Sequence, residues 1–293
     1  MEALLIAVEA FLRRMPYFVY LFLLLLLGVM LFRKTLRYVR SDGKPYSFDS
    51  ELTSHDNPAF GLYFAGYVVG LALALAGAPV GLGDDIVQNF ATITINGFLA
   101  IALMRLSAIV NDRLILTRFD DKKEIIEDRN AGTSFVYVGS FLATGLMING
   151  VLTGESASLL LMVRDILIYW LVGQAILILG GRVLQRISHY DVQAAIEKDN
   201  VAAGVVFGFF LAALGGVTRM ALAGASSEIW TELVRVIVFA GLGIVLLCAG
   251  RFAADKVMLP ASPLDHEVGD EANTGAAAVV AAVFSAIAIL LAF

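Results

Sequence analysis

Asp199-Asn200-Val201-Ala202-Ala203-Gly204 opens an apolar run, and the same kind of opening occurs three more times in the chain. Asp56-Asn57-Pro58-Ala59-Phe60-Gly61, Asp128-Arg129-Asn130-Ala131-Gly132 and Glu271-Ala272-Asn273-Thr274-Gly275 each place an acidic residue, an Asn and a Gly at the head of an apolar segment. The asparagines stand 73, 70 and 73 residues apart, a nearly fixed period that marks an internal repeat. Gly follows Asn by four residues in the first and third boxes and by two in the others, and alternate boxes are 143 residues apart. The larger unit is therefore a tandem duplication, divided into residues 1–152 and 153–293.

Each box has a plain physical use. An Asn ahead of an apolar run caps a helix whose first amides lack partners, and the Gly residues let neighbouring helices approach closely. Gly204, Gly208, Ala212 and Gly216 form a small-residue stripe on one helix face, and Gly66 with Gly70 repeats the device. A second use is open to the boxes: four helix starts on one membrane surface, with exposed amides and positive dipole ends, can gather an anion or a lipid head group.

Composition sets the surroundings. The chain has 293 residues, 59% of them hydrophobic and 16% charged, with a mean hydropathy of +0.82, the profile of a membrane protein. The net charge of −5 says little when charges sit in separate loops. Cys248 lies inside an apolar run and reads as a small buried hydrophobe, so no disulfide or paired-thiol chemistry is expected.

The apolar runs are Pro16–Phe32, Pro58–Ala78, Ile86–Val110, Ala131–Leu152, Leu159–Gly180, Val201–Ala223, Ile229–Gly250 and Thr274–Phe293, eight in all. Each approaches the roughly 20 residues a helix needs to cross the hydrocarbon. Strands are excluded by run length, because barrel strands are segments of about ten residues with alternating polarity. Residues 1–12 either extend the first helix or lie in the interface, and no cleavage site follows them. The expected fold is an all-α integral membrane protein of eight transmembrane helices, built as two tandem four-helix units. Four crossings per unit is even, so the units share one orientation.

Fifteen of the twenty-one Lys and Arg residues lie in the loops after runs one, three, five and seven, and only Arg13, Arg14 and Arg219 lie on the opposite side. By the positive-inside rule the basic loops are cytoplasmic and both termini are periplasmic. Those loops read as too short to bury a core of their own.

Charges in the outer half of the membrane are the sharpest functional signal. Arg164 and Asp165 lie early in the fifth run, and Glu228, Glu232 and Arg235 share one face of the seventh. Their first-half counterparts, 143 residues earlier, are Leu21, Phe22, Asp85, Asn89 and Thr92, so the halves diverge here. These five charged residues are either structural pairs or a polar site, with Arg235 expected to pair with Glu232, Glu228 or Asp165. Arg105 reads as a snorkelling residue near the cytoplasmic end of its helix. Asn96, Asn149 and Gln174 are uncharged polar residues inside runs, serving as interhelical glue or as part of a pathway.

Enzyme chemistry is not expected. His55, His189 and His266 lie in loops and outside any zinc-helix motif, and Asp265-His266-Glu267 with Asp270 and Glu271 reads as a solvated acidic loop rather than a metal site. There is no nucleophile elbow, phosphate loop or basic aromatic patch, and neither cofactor nor nucleic acid is expected.

The boxes resemble those of the YjfL-like "domain of unknown function" family of bacterial inner-membrane proteins, in which a four-helix unit carries an Asn-x-Ala-Ala type box opening a membrane helix. Asn200-Val201-Ala202-Ala203-Gly204 fits closely, and Asn57-Pro58-Ala59-Phe60-Gly61 fits more loosely because of Pro58. With the duplication, the resemblance implies two such units, a helical fold and a bacterial inner membrane. It carries no catalytic residue. Two functions stay open: a transporter or channel for a small ion or solute, with a polar site between the units, or a non-catalytic scaffold. The scaffold's glycine stripes would bind other helices, copies of this chain among them, and its basic loops would bind anionic lipid.

Overall fold

The structure is a computed structural model that describes residues 1–293 except 37, 39, 79–84, 155–157, 224–227 and 293. Arg37 of the first basic loop and Phe293 of the last run thus lie outside the described residues. Among the described residues, eight helices are long and apolar enough to cross a membrane. They are α1 (Glu2–Thr35), α3 (Pro58–Ala76), α4 (Ile86–Val110), α6 (Ala131–Leu152), α7 (Leu159–Ile187), α9 (Val201–Leu222), α10 (Ile229–Ala253) and α11 (Thr274–Ala292). Residues 2–12 extend the first helix, which continues past Pro16.

The loops on the box side are folded. They hold three one-turn helices, α2 (Phe48–Thr53), α5 (Asp121–Ile126) and α8 (Val192–Glu197), and π-helical turns at Asn111–Ile115, Ala254–Met258 and His266–Asp270. Ile125, Ile126, Val192, Ile196, Leu264 and Val268 from these segments are buried. The loops, too short to bury a core of their own, are buried by packing onto the helix ends and joining the core there.

Two crossings separate successive boxes, so α3, α6, α9 and α11 all run in one direction. They stand side by side in chain order, α3 against α6, α6 against α9 and α9 against α11. The other spans flank this row: α1 and α4 pack on α3, α7 on α6 and α9, and α10 on α9 and α11. Glycine sets the spacing within the row. A Cβ on Gly139 would fall on the Gly208 carbonyl oxygen, and one on Gly145 on the Gly70 carbonyl oxygen, so the backbones touch. Gly66, Gly70, Gly204 and Gly208 are all used this way inside the chain, whereas Gly216 meets the Ala288 methyl on α11. The glycine stripes therefore serve contacts within the protein and are not open to outside helices.

Candidate functional site

Each box is one construction repeated four times. The residue before the Asn takes a left-handed backbone: Asp56 (φ 46°), Arg129 (φ 59°), Asp199 (φ 62°) and Ala272 (φ 49°). This turn reverses the chain from the one-turn helix into the membrane helix. The Asn carboxamide oxygen then accepts from an amide in the first turn: Asn57 from Phe60 at 3.0 Å, Asn130 from Thr133 at 3.0 Å, Asn200 from Ala203 at 2.9 Å and Asn273 from Ala276 at 3.1 Å. That is the expected cap.

The carboxamide nitrogen does more. In three boxes it donates to a Glu six residues earlier: Asn57 to Glu51 at 3.1 Å, Asn130 to Glu124 at 2.9 Å and Asn273 to Glu267 at 2.8 Å. The third box has Ala194 at that place. The same nitrogen also reaches the next box: Asn57 donates to Ile125 (2.9 Å) and Ile126 (3.3 Å), Asn130 to Ile196 (2.5 Å), and Asn200 to Val268 (2.7 Å) and Gly269 (3.2 Å), all carbonyl oxygens. The acceptors lie four or five residues before the next Asn. Asn57, Asn130 and Asn200 are buried. The carboxylates of Glu51, Glu124 and Glu267 complement the positive ends of the helices.

The outer charges are brought together only in part. Arg164 holds Asp165 through Nε (2.8 Å) and Nη2 (2.6 Å). Asp165 and Tyr169, four residues apart on α7, share a face, and the Tyr169 hydroxyl donates to Glu232 of α10. Asp165 and Glu232 are buried, and Glu228 is exposed at the start of α10. Arg235 Nε is buried without a hydrogen-bond partner among the described residues. Asp165 is thus held by its own neighbour Arg164, and Glu232 accepts from a tyrosine. The cluster joins the first and third membrane helices of the second unit and does not lie between the units.

What lies between the units is a seam of uncharged polar side chains, with α4 and α6 of the first unit facing α7 of the second. Asn96 donates weakly to the Met162 sulfur (3.6 Å), the Trp170 indole to Ser107 Oγ (2.9 Å), and Gln174 Nε2 to Thr144 Oγ1 (3.1 Å). Asn96 Oδ1, Gln174 Oε1, Ser140 Oγ and both carboxamide atoms of Asn111 are buried without a partner among the described residues. Asn149 acts as glue, donating to the Leu73 carbonyl (2.9 Å) and accepting from Arg219 Nε (2.7 Å), so that it joins α3, α6 and α9.

A cleft opens at the box side of the first unit, with room for water-sized centres over about 30 Å³, and Tyr63, Tyr137, Arg105, Asp112 and Lys122 line it. Behind Tyr137 lies Asp121, fully buried, whose Oδ2 accepts the Tyr137 hydroxyl at 2.9 Å and whose Oδ1 has no partner among the described residues. Burial pushes the Asp121 carboxyl well above the usual range against the lowering hydrogen bond from Tyr137, and Asp112, Asp120 and Glu124 push the same way. Arg105 donates to the Thr35 hydroxyl (3.0 Å) and carbonyl (3.1 Å), capping α1 at the surface in keeping with snorkelling.

The acidic loop is spent on pairs. Asp265 meets Arg251 and His189, and His266 meets Asp270 at 3.0 Å, a bond that raises the imidazole pKa. Among the described residues, no group of three or more His, Cys, Asp or Glu is placed to hold a metal.

The model of one family, Domain of Unknown Function (DUF350), matches residues 6–152 and again 155–293. The chain belongs to the DUF350 family. A relative, the UPF0719 transmembrane protein of Aquifex aeolicus (strain VF5), is 22% identical over 243 residues, which cover 83% of this chain and 87% of the relative. No solved structure matches.

The two DUF350 units have specialised at opposite ends. The cleft residues of the first, Tyr63, Arg105, Asp121 and Tyr137, correspond in the second to Val206, Cys248, Leu264 and Val280. The outer charges of the second DUF350 unit correspond in the first to Leu21, Phe22, Asp85, Asn89 and Thr92. Sequence reasoning found the outer divergence and missed the inner one, which subtracting 143 along the loops would have exposed.

Proposed function

We propose that this multi-pass membrane protein passes a small cation or a proton across a bacterial inner membrane along the α4, α6 and α7 seam. The observation that supports this reading is the set of buried atoms without partners among the described residues at Asn96, Asn111, Ser140 and Gln174, contributed by both units. Buried amide and hydroxyl groups left unfilled require a polar guest, water or a small ion, because each costs about 1–3 kcal/mol when unmade. Carboxyl groups stand toward both ends, Asp165 and Glu232 on the outer side and Asp121 behind the inner cleft, which favours a positive species over an anion. The outer charges then act as a mouth within the second unit, and the cleft as a mouth within the first. No covalent chemistry is part of this reading.

A flux screen over small ions and small organic ions, with the protein reconstituted into liposomes, tests the proposal; leakage equal to that of empty liposomes for every species would overturn it. The basic loops are placed in the cytoplasm and both termini in the periplasm, from the asymmetry of Lys and Arg. A reporter fused after Phe293 that works only in the cytoplasm would contradict that orientation. The close-packed row of α3, α6, α9 and α11 favours a second reading, a non-catalytic scaffold, which predicts no flux.

A further inference from the structure

The central row has two open ends, and the ends match. At the α6/α9 junction between the units, α6 contributes Gly132, Phe135, Gly139 and Ala143, and α9 contributes Gly204, Gly208 and Gly215. Moving the α6 set forward by 143 residues gives Gly275, Ala278, Ala282 and Ala286 on α11, all exposed. Moving the α9 set back by 143 gives Gly61, Ala65 and Ala72 on α3, of which Ala65 is exposed and the others are half-buried. Every counterpart is Gly or Ala, the residues that let helices meet closely in lipid.

The boxes give an independent second observation. Each Asn with a following box donates to carbonyls four or five residues before the next Asn, as Asn57 does to Ile125 and Ile126 and Asn200 does to Val268 and Gly269. No box follows Asn273 within these 293 residues; among the described residues its side-chain nitrogen donates to Glu267, and it is exposed. At the other end, the carbonyls four and five residues before Asn57 belong to Thr53 and Leu52, both exposed residues with no preceding Asn in the chain. The second hydrogen of the Asn273 carboxamide nitrogen at one end and the Leu52 and Thr53 carbonyls at the other therefore stand in the register the chain uses internally.

We infer that copies of this chain associate head to tail in the membrane, α3 of one copy docking on α11 of another as α9 docks on α6, with Asn273 reaching the Leu52 and Thr53 carbonyls across the junction. The contact uses two different faces, so it is heterologous and builds a ring or an open row according to its rotation. Closure of the row removes both small-residue faces from lipid. The inference stands apart from the transport reading, since it rests on faces that the seam does not touch.

Directed disulfide formation in native membranes tests it. Gly139 and Gly208 lie in backbone contact; their counterparts, Ala282 and Ala65, face each other across the inferred junction. In a Cys248→Ala background, one tagged chain carries Ala65→Cys and a differently tagged chain carries Ala282→Cys. The expected result is a mixed-tag adduct several-fold in excess of either same-tag adduct, and loss of that adduct when Asn273→Ala is added. Ala282→Trp, in a separate preparation, should convert an oligomer to a monomer of unchanged helix content. Same-tag adducts in excess would mean a two-fold interface and overturn the inference. So would a mixed adduct no more abundant than that of Val245→Cys, on an exposed face of α10, or an Ala282→Trp protein of unaltered mass.

Discussion

Asn130 Nδ2 lies 2.5 Å from the Ile196 carbonyl oxygen, so the residue that starts α6 also fastens the end of α8 and with it the start of α9. The bond crosses from the first unit to the second, and the equivalent bonds of Asn57 and Asn200 lie within a unit. One carboxamide thus caps a helix, orients a glutamate and sets the register of two neighbouring membrane helices.

Asn130→Ala removes the cap and leaves the buried Glu124 and Ile196 acceptors unfilled. We expect a loss of about 2–4 kcal/mol from these combined effects. Asn273→Ala, at an exposed box without an onward bond inside the chain, should cost the single, unassociated chain about 1 kcal/mol. Reversible unfolding in mixed micelles measures both, and equal costs at the two positions would show that the onward bond contributes nothing.

Asp121 and Tyr137 form a buried pair at which the second unit carries Leu264 and Val280, also buried. The chain thus contains the apolar replacement of its own polar pair. Asp121→Leu with Tyr137→Val should be within about 1 kcal/mol of the parent or more stable, whereas Tyr137→Val alone, which leaves the acid without its donor, should cost about 1–3 kcal/mol. A double-mutant cycle reads the coupling; additive effects would contradict it.

Asp121 also predicts a pH dependence. Burial raises its folded pKa above the unfolded value of about 3.9, so the folded protein keeps a proton that the unfolded chain releases. This contribution is fully present below pH about 4 and is lost as pH rises toward the raised folded value. Glu124, raised chiefly by burial, adds in the same direction. Stability measured upward from pH 4 should therefore fall less steeply in Asp121→Asn than in the parent. Identical slopes would place the proton elsewhere.

Ala272 holds a left-handed backbone at φ 49°, a conformation that costs an L-residue with a Cβ about 1–2 kcal/mol. Ala272→Gly relieves that strain at the cost of a more flexible unfolded chain, and we expect a net gain of up to about 1 kcal/mol. A thermal midpoint below that of the parent would show that the methyl group makes a contact worth more than the strain.

The boxes were legible because a cap is local chemistry: an Asn before an apolar run has one evident use, and the 143-residue offset copies it. The onward bond was not legible, since the Ile196 carbonyl that Asn130 binds carries no side-chain signature. The outer charges were visible as charges, yet the Tyr169 hydroxyl decided where Glu232 points, and a tyrosine in an apolar run reads as bulk. Asp121 was hidden in a loop counted for its Lys and Arg residues. The polar seam was half visible: Asn96 and Gln174 stand out within their runs, but their placement on facing helices of different units depends on how α4, α6 and α7 pack.

The seam itself gives the most direct measurement. Asn96→Leu with Gln174→Leu fills it with apolar groups of similar size while leaving the boxes, the outer charges and the cleft intact. In proteoliposomes, with the cation or proton identified by the flux screen, the account predicts that this double variant inserts and folds with the parent's helix content and loses flux at least tenfold, the equivalent of about 1.4 kcal/mol on the barrier. Undiminished flux through a folded double variant would contradict a pathway along the seam.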